Sequence, residues 1–136
     1  MRFSTLLVGV VALFAVASSV PASAQTQEQI DWCVNKGNAF AIDLQISGCT
    51  ASIQSGRWSG SGLAWAFNNR CSAYNYAGDQ DRALTDCSQA IRLDPKFAFA
   101  YCGRGLAKRA QGDAAGGNAD IAEGKQLNPN IGSWCN

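Results

Sequence analysis

Residues 64–95 read AWAFNNRCSAYNYAGDQDRALTDCSQAIRLDP, and residues 98–129 read AFAYCGRGLAKRAQGDAAGGNADIAEGKQLNP. Laid over one another, the two stretches nearly repeat at a period of 34 residues. Gly78-Asp79 returns as Gly112-Asp113, and Leu93-Asp94-Pro95 returns as Leu127-Asn128-Pro129. Arg70 returns as Arg104, Asp86 as Asp120 and Phe67 as Tyr101. A glycine at mid-repeat and a proline at its end, at this period, mark a helix–turn–helix unit. Such units bury their apolar faces by stacking on their neighbours. The fold expected is therefore all-α, a stack of antiparallel helix hairpins.

Working outward, helices are predicted over 63–77, 81–93, 97–111 and 114–127. Gly78 and Gly112 stop the first helix of each pair. Asp79 or Asp81, and then Asp113, can cap the second. Ala83, Leu84, Cys87, Ala90 and Ile91 recur at helical spacing, as a buried stripe requires. Gly116, Gly117 and Gly124 weaken the last helix, which is expected to be the softest. In front of the pair, 28–38 and 44–54 are predicted as two more helices, with Gly48 costing propensity or permitting close packing. Residues 55–62, Ser-Gly-Arg-Trp-Ser-Gly-Ser-Gly, read as a loop. Its Trp58 either caps the first hairpin's core or stands in an exposed contact loop with Arg57. Trp134 and Cys135 are expected to cover the open end of the stack.

The six cysteines sharpen this register. Cys33 and Cys49 lie 16 residues apart, and so do Cys71 and Cys87. In a helical hairpin, residues equidistant from the turn face each other at one height. The midpoint of Cys71 and Cys87 is Asp79, inside the Gly78-Asp79 turn. The spacing therefore predicts disulfides Cys33–Cys49 and Cys71–Cys87, which leaves Cys102–Cys135 to tie the tail to the second repeat. Residues 43–53 also lie over 81–91, so the leading hairpin reads as a degenerate copy of the repeat.

The ends and the composition bound the function. Arg2, an apolar run of eleven residues from Leu6 to Val16, and Ala22-Ser23-Ala24 form the pattern of a cleaved secretory signal. The run is shorter than a spanning helix needs, so no stable membrane span is expected after cleavage at Ala24. An exported chain, periplasmic or secreted, also suits an even set of disulfides. The organisation expected is a signal at 1–24, a degenerate hairpin and loop at 25–62, repeat units at 63–97 and 98–131, and a tail at 132–136. With 11 basic and 10 acidic residues and no basic block, no nucleic-acid partner is expected. The chain has no His, which removes the usual general base and the commonest metal ligand. No C-x-x-C appears, so neither a metal nor another cofactor is expected, and the protein reads as non-enzymatic.

With Ala64 as its first residue, the unit places Phe67, Cys71, Tyr74, Ala83, Ala90 and Pro95 in a pattern that resembles the tetratricopeptide repeat (TPR) family. The second unit, from Ala98, keeps Tyr101, Gly105 and Pro129 in register. It departs at Lys108, where the family has an aromatic residue, and at Gly117 and Gly124, where it has alanines. The tract from Asp43 to Trp58, joined to Phe67-Asn68-Asn69-Arg70, is similar to small exported repeat proteins of alphaproteobacteria. The resemblance implies binding of a peptide or protein in the concave groove lined by each first helix. The positions it points to are Trp65, Asn68, Asn69, Ser72 and Tyr76 in the first unit, and Phe99 and Arg109 in the second, with Asn75, Cys102, Gly103 and Leu106 on the same face. Asn69 falls where family members use Asn to hold a peptide backbone. The Lys/Asn/Arg pattern that grips a terminal carboxylate is incomplete. Asn68 and Asn69 read equally as a solvated helix face, and Trp65 as a partner for Trp58. The alternative function is structural: a self-associating component of a cell-envelope assembly.

Overall fold

The computed structural model describes residues 26–136. The expected signal at 1–24 lies outside them. Among the described residues six α-helices form three consecutive hairpins: α1 (Gln27–Val34) with α2 (Ile42–Gln54), α3 (Ala64–Ala77) with α4 (Gln80–Leu93), and α5 (Ala98–Ala110) with α6 (Ala114–Leu127). Short 3-10 turns cover Lys36–Asn38, Gly60–Leu63 and Gly132–Cys135. Each helix packs on the next along the chain. In addition α1 touches α3 and α3 touches α5, so the first helices of the hairpins share one side of the stack.

The repeat is visible atom by atom. Gly78 takes φ 78° and Gly112 takes φ 93°. The amides of Asp79 and Asp113 then reach back to the carbonyls of Tyr74 and Lys108, each at 2.9 Å, which satisfies the last turn of α3 and of α5. Asp79 caps α4 by accepting from the Arg82 amide, and Asp113 caps α6 by accepting from the Gly116 amide.

The first helix ends sooner than predicted. It starts on a capping box between Thr26 and Gln29, but stops at Asn35 instead of continuing to Asn38. Asn35 adopts a left-handed backbone (φ 43°). Its side chain accepts from the Phe40 amide at 2.8 Å and donates to the Phe40 carbonyl at 3.1 Å and to Gln45 Oε1 at 3.0 Å. A local side-chain bond thus outcompetes the next helical turn.

The three cysteine pairs are those the spacing predicts, with Cα separations of 4.4 Å (Cys33–Cys49), 5.4 Å (Cys71–Cys87) and 4.9 Å (Cys102–Cys135). They occupy the places where a larger domain would put leucine and phenylalanine. The largest fully buried side chains are the six cysteines and Ser52, and the rest of the core is mostly alanine. Phe67, Tyr74, Leu84, Ile91 and Leu106 pack against it only partly buried. A small domain with so little bulk at its centre gains its stability from cross-links and close helix approach.

That close approach gives the glycines of α6 a packing role. It is a continuous helix of 14 residues, and its contact with α5 is the most extensive between any two helices of the stack. Gly117 and Gly124 face α5 and are buried. A Cβ on Gly124 would lie 2.6 Å from Cys102 Sγ and 2.9 Å from the Ala98 carbonyl. Opposite, a Cβ on Gly105 would lie 2.7 Å from the Gly117 carbonyl and 2.8 Å from Ile121 Cγ1. The glycines admit the backbones to each other. Helix propensity alone predicts that Gly105→Ala stabilises by about 1 kcal/mol, whereas overpacking predicts a net loss of about 1–2 kcal/mol. The contact with backbone atoms decides for the loss, and urea unfolding of the variant should show a lower midpoint.

Two buried ion pairs join the helices within each repeat. Arg70 grips Asp86 with two hydrogen bonds of 2.7 and 2.9 Å, and Arg104 grips Asp120 with two of 2.7 Å. Lys108 Nζ adds a third contact to Asp120 at 2.9 Å, which gives a role to the lysine that stands in the family's aromatic position. Burial pushes the Asp120 carboxyl up, but the hydrogen bonds from Arg104 and Lys108 outweigh it, and the group sits below its ordinary value. A carboxyl depressed by folding stabilises the native state above the ordinary carboxylate range and loses that contribution as pH falls through its folded value. Stability should therefore drop in acid below about pH 4. Asp120→Asn should be less stable at neutral pH and should show a smaller acid loss, measured as urea midpoints across the acid range.

Candidate functional site

Helices α3 and α5 and the tail enclose a cleft of about 800 Å³. One wall is α3, which presents Asn68, Asn69, Ser72, Asn75 and Tyr76 at helical spacing. Gln80 extends that wall at the start of α4. The other wall is α5 with Phe97 just before it: Phe97, Phe99, Gly103, Leu106 and Ala110. The tail closes one side with Ser133, Trp134 and Asn136.

Most of the sequence-predicted residues meet here. Asn68, Asn69, Ser72, Tyr76 and Phe99 all line the cleft. Tyr76 is 70% exposed, so its ring is available to a partner. Asn68 donates to Asn69 Oδ1 at 3.5 Å, and Asn75 donates to the Gly103 carbonyl at 2.9 Å, joining the two walls. Gly103 is buried against the Cys71–Cys87 disulfide, where a Cβ would lie 2.7 Å from Cys87 Sγ. The missing side chain at this position is thus required by packing. Among the described residues, the buried amide oxygens of Asn75 and Gln80 have no hydrogen-bond partner.

Two predicted residues do not line the cleft. Trp65 packs edge-to-face on Trp58, with ring centroids 5.2 Å apart, and belongs to the core cluster around Cys33 and Cys49. Trp58 is thereby half-buried as a cover for the first hairpin, with Arg57 over its ring at 5.2 Å. Arg109 runs along α6, its Cγ close to Gly117. Cys102, on the same predicted face, is buried in its disulfide.

The tail supplies what sequence reasoning missed. Trp134 does not cover the end of the stack. Cys135 and Ile131 are buried, but Trp134 between them is 64% exposed and stands against Phe99, centroids 6.0 Å apart at 86°. Phe97 joins Phe99 on the other side at 6.3 Å. The signal available was indirect: the expected groove face of α5 included Cys102, and its disulfide to Cys135 brings residue 134 near Phe99.

The cleft's electrostatics are those of dipoles. No lining side chain is charged. Of the cations on α3 and α5, Arg70, Arg104 and Lys108 are held in ion pairs with Asp86 and Asp120. Amide groups can pair with a peptide backbone, and aromatic rings can cover apolar side chains. Among the described residues no helix is long and apolar enough to cross a membrane.

Residues 64–97 match the tetratricopeptide repeat family. The small glutamine-rich tetratricopeptide repeat-containing protein 2 of Mycosarcoma maydis is 41% identical over 46 residues, which are 34% of this chain and 13% of that protein. The chain thus spans a small part of that relative's length. No solved structure matches the chain. The matched repeat supports a protein–protein interaction module, built here on the α3–α4 hairpin and repeated structurally by α5–α6.

Proposed function

We propose that this protein is an exported, non-enzymatic adaptor that holds a peptide or protein partner in the cleft between α3, α5 and the tail. The observation that carries the reading is the lining itself: side-by-side amides on α3 facing exposed rings on α5 and the tail. Export is supported by the signal pattern at 1–24 and by three disulfides, which form and persist in oxidising compartments. On this reading 25–62, 63–97 and 98–131 are three hairpin units, and 132–136 is the tail that completes the cleft.

Asn69→Ala combined with Tyr76→Ala tests the assignment. Both side chains line the cleft outside the buried core, so the fold should be retained by circular dichroism. Capture of partners from the native host by crosslinking and affinity purification should fall by about tenfold or more, as for paired interface contacts. Unchanged capture sinks the cleft as the binding surface.

One observation favours self-association as a second reading. Val34, Phe40, Ile42 and Leu44 are exposed on the first hairpin, away from the cleft, and exposed apolar groups mark interaction surfaces. Sizing chromatography of the mature chain separates the readings. A stable oligomer dispersed by Phe40→Ser would favour the second.

A further inference from the structure

We propose that the cleft selects an uncharged, extended peptide segment anchored by one bulky apolar side chain, and that the disulfide-tied tail forms the anchor subsite with Phe97, Phe99 and Trp134. The proposal rests on the cleft being the binding surface and specifies what enters it.

The cleft has two chemically distinct sides. Along α3 run Asn68, Asn69, Ser72 and Asn75, with Gln80 beyond. These groups offer both donors and acceptors, which suits the alternating N–H and C=O of an extended backbone. On the opposite side, at α5 and the tail, three rings stand in a chain of edge-to-face contacts, Phe97–Phe99 at 6.3 Å and Phe99–Trp134 at 6.0 Å. Leu106 adds aliphatic surface beside them. Such an assembly of rings takes a leucine, methionine or phenylalanine side chain out of water.

Charge is excluded by the same geometry. A carboxylate entering the cleft loses hydration and finds no charged side chain in the lining, and Arg70, Arg104 and Lys108 are held on Asp86 and Asp120. An ammonium group finds no carboxylate side chain in the lining either. Neutral segments carry no such penalty.

The tail's part follows from its anchoring. The segment Gly132–Cys135 is a single short turn, too short to hold a position by itself. Ile131 and Cys135 are buried on either side of Trp134, and Cys135 is bonded to Cys102 on α5. These two attachments hold an exposed indole against Phe99. Without the bond, the turn keeps Ile131 and one exposed hydrogen bond from Lys125 to Asn136, and the Trp134 wall loses its fixed place.

The test uses the mature chain and arrays of N-acetylated, C-amidated nonapeptides with randomised sequence, followed by fluorescence titration of the best binders. Expected is enrichment of neutral peptides with one central Leu, Met or Phe, and a loss of about tenfold or more when that residue becomes Ser. Trp134→Ala, at an exposed position that leaves the core intact, should weaken binding to a similar degree. Cys102→Ala with Cys135→Ala should do the same while the other two disulfides keep the helices folded by circular dichroism. Enrichment of acidic or basic peptides, or unchanged affinity in Trp134→Ala, overturns the proposal while leaving the cleft as a binding surface. If no peptide of any composition binds, the binding surface itself fails and the proposal with it.

Discussion

Cys71→Ala with Cys87→Ala is expected to lower global stability by about 3 kcal/mol, the chain-entropy value for a loop of this length. The corresponding fall in Tm is about 10–20 °C for a chain of this size. The bond joins α3 and α4 at their centres, and Gly103 of α5 packs directly on its sulfurs. Its loss therefore frees the unfolded chain and also opens space at the contact between the second and third hairpins. Removing Cys102–Cys135 closes no less chain, yet its effect should be local. One end of that bond sits in a terminal turn, so release frees the tail while α3–α6 stay folded. Thermal unfolding of the two double variants, with hydrogen exchange of the tail amides, separates the outcomes. An equal global loss in both would contradict this division.

Asp86→Ala should cost about 3 kcal/mol, because it leaves the Arg70 guanidinium largely buried without its counter-ion. The side chains of Arg70 and Asp86 are only 17% and 6% exposed, so water compensates little. Arg70 retains its hydrogen bond to Thr50 Oγ1 at 3.0 Å and its place near the rings of Phe67 and Tyr74, but these do not neutralise it. Replacing both partners, Arg70→Met with Asp86→Leu, should recover most of the loss, since a paired charge and a packed apolar pair are close in worth. Urea denaturation of the three variants reads this directly. If the double variant is no better than Asp86→Ala, the cost lies in packing and not in the orphaned charge.

The parts of the fold legible in the sequence are those written as spacing. The 34-residue period placed the hairpins, and the interval of 16 placed two disulfides because both obey the geometry of facing helices. The same interval separates Arg70 from Asp86 and Arg104 from Asp120. The ion pairs were therefore open to the argument applied to the cysteines, and their recurrence across the repeat was itself a sign. Asn35 escaped because its effect depends on a side-chain bond to Phe40, five residues away, which periodicity does not register. The packing role of the α6 glycines escaped because propensity describes an isolated helix, whereas Gly117 and Gly124 stand against the backbone of α5. In the cleft, the helical face of α3 was legible from the family's pattern. Trp65 and Arg109 share that face by spacing but are drawn off by neighbours, Trp58 in a loop and Gly117 in α6. Trp134 lay beyond the repeat, and only the tertiary path of the tail brings it to Phe99.

The most direct test of the central claim is site-specific photo-crosslinking in the native host. A photoreactive phenylalanine analogue placed at Tyr76 in the cleft, and separately at Ser88 on the exposed side of α4, reports which surface meets the partner. Both positions are exposed, so neither should disturb the fold. The account predicts a discrete adduct from position 76 that is lost in the Asn69→Ala background, and none from position 88. Adducts from position 88 with none from 76 would contradict it.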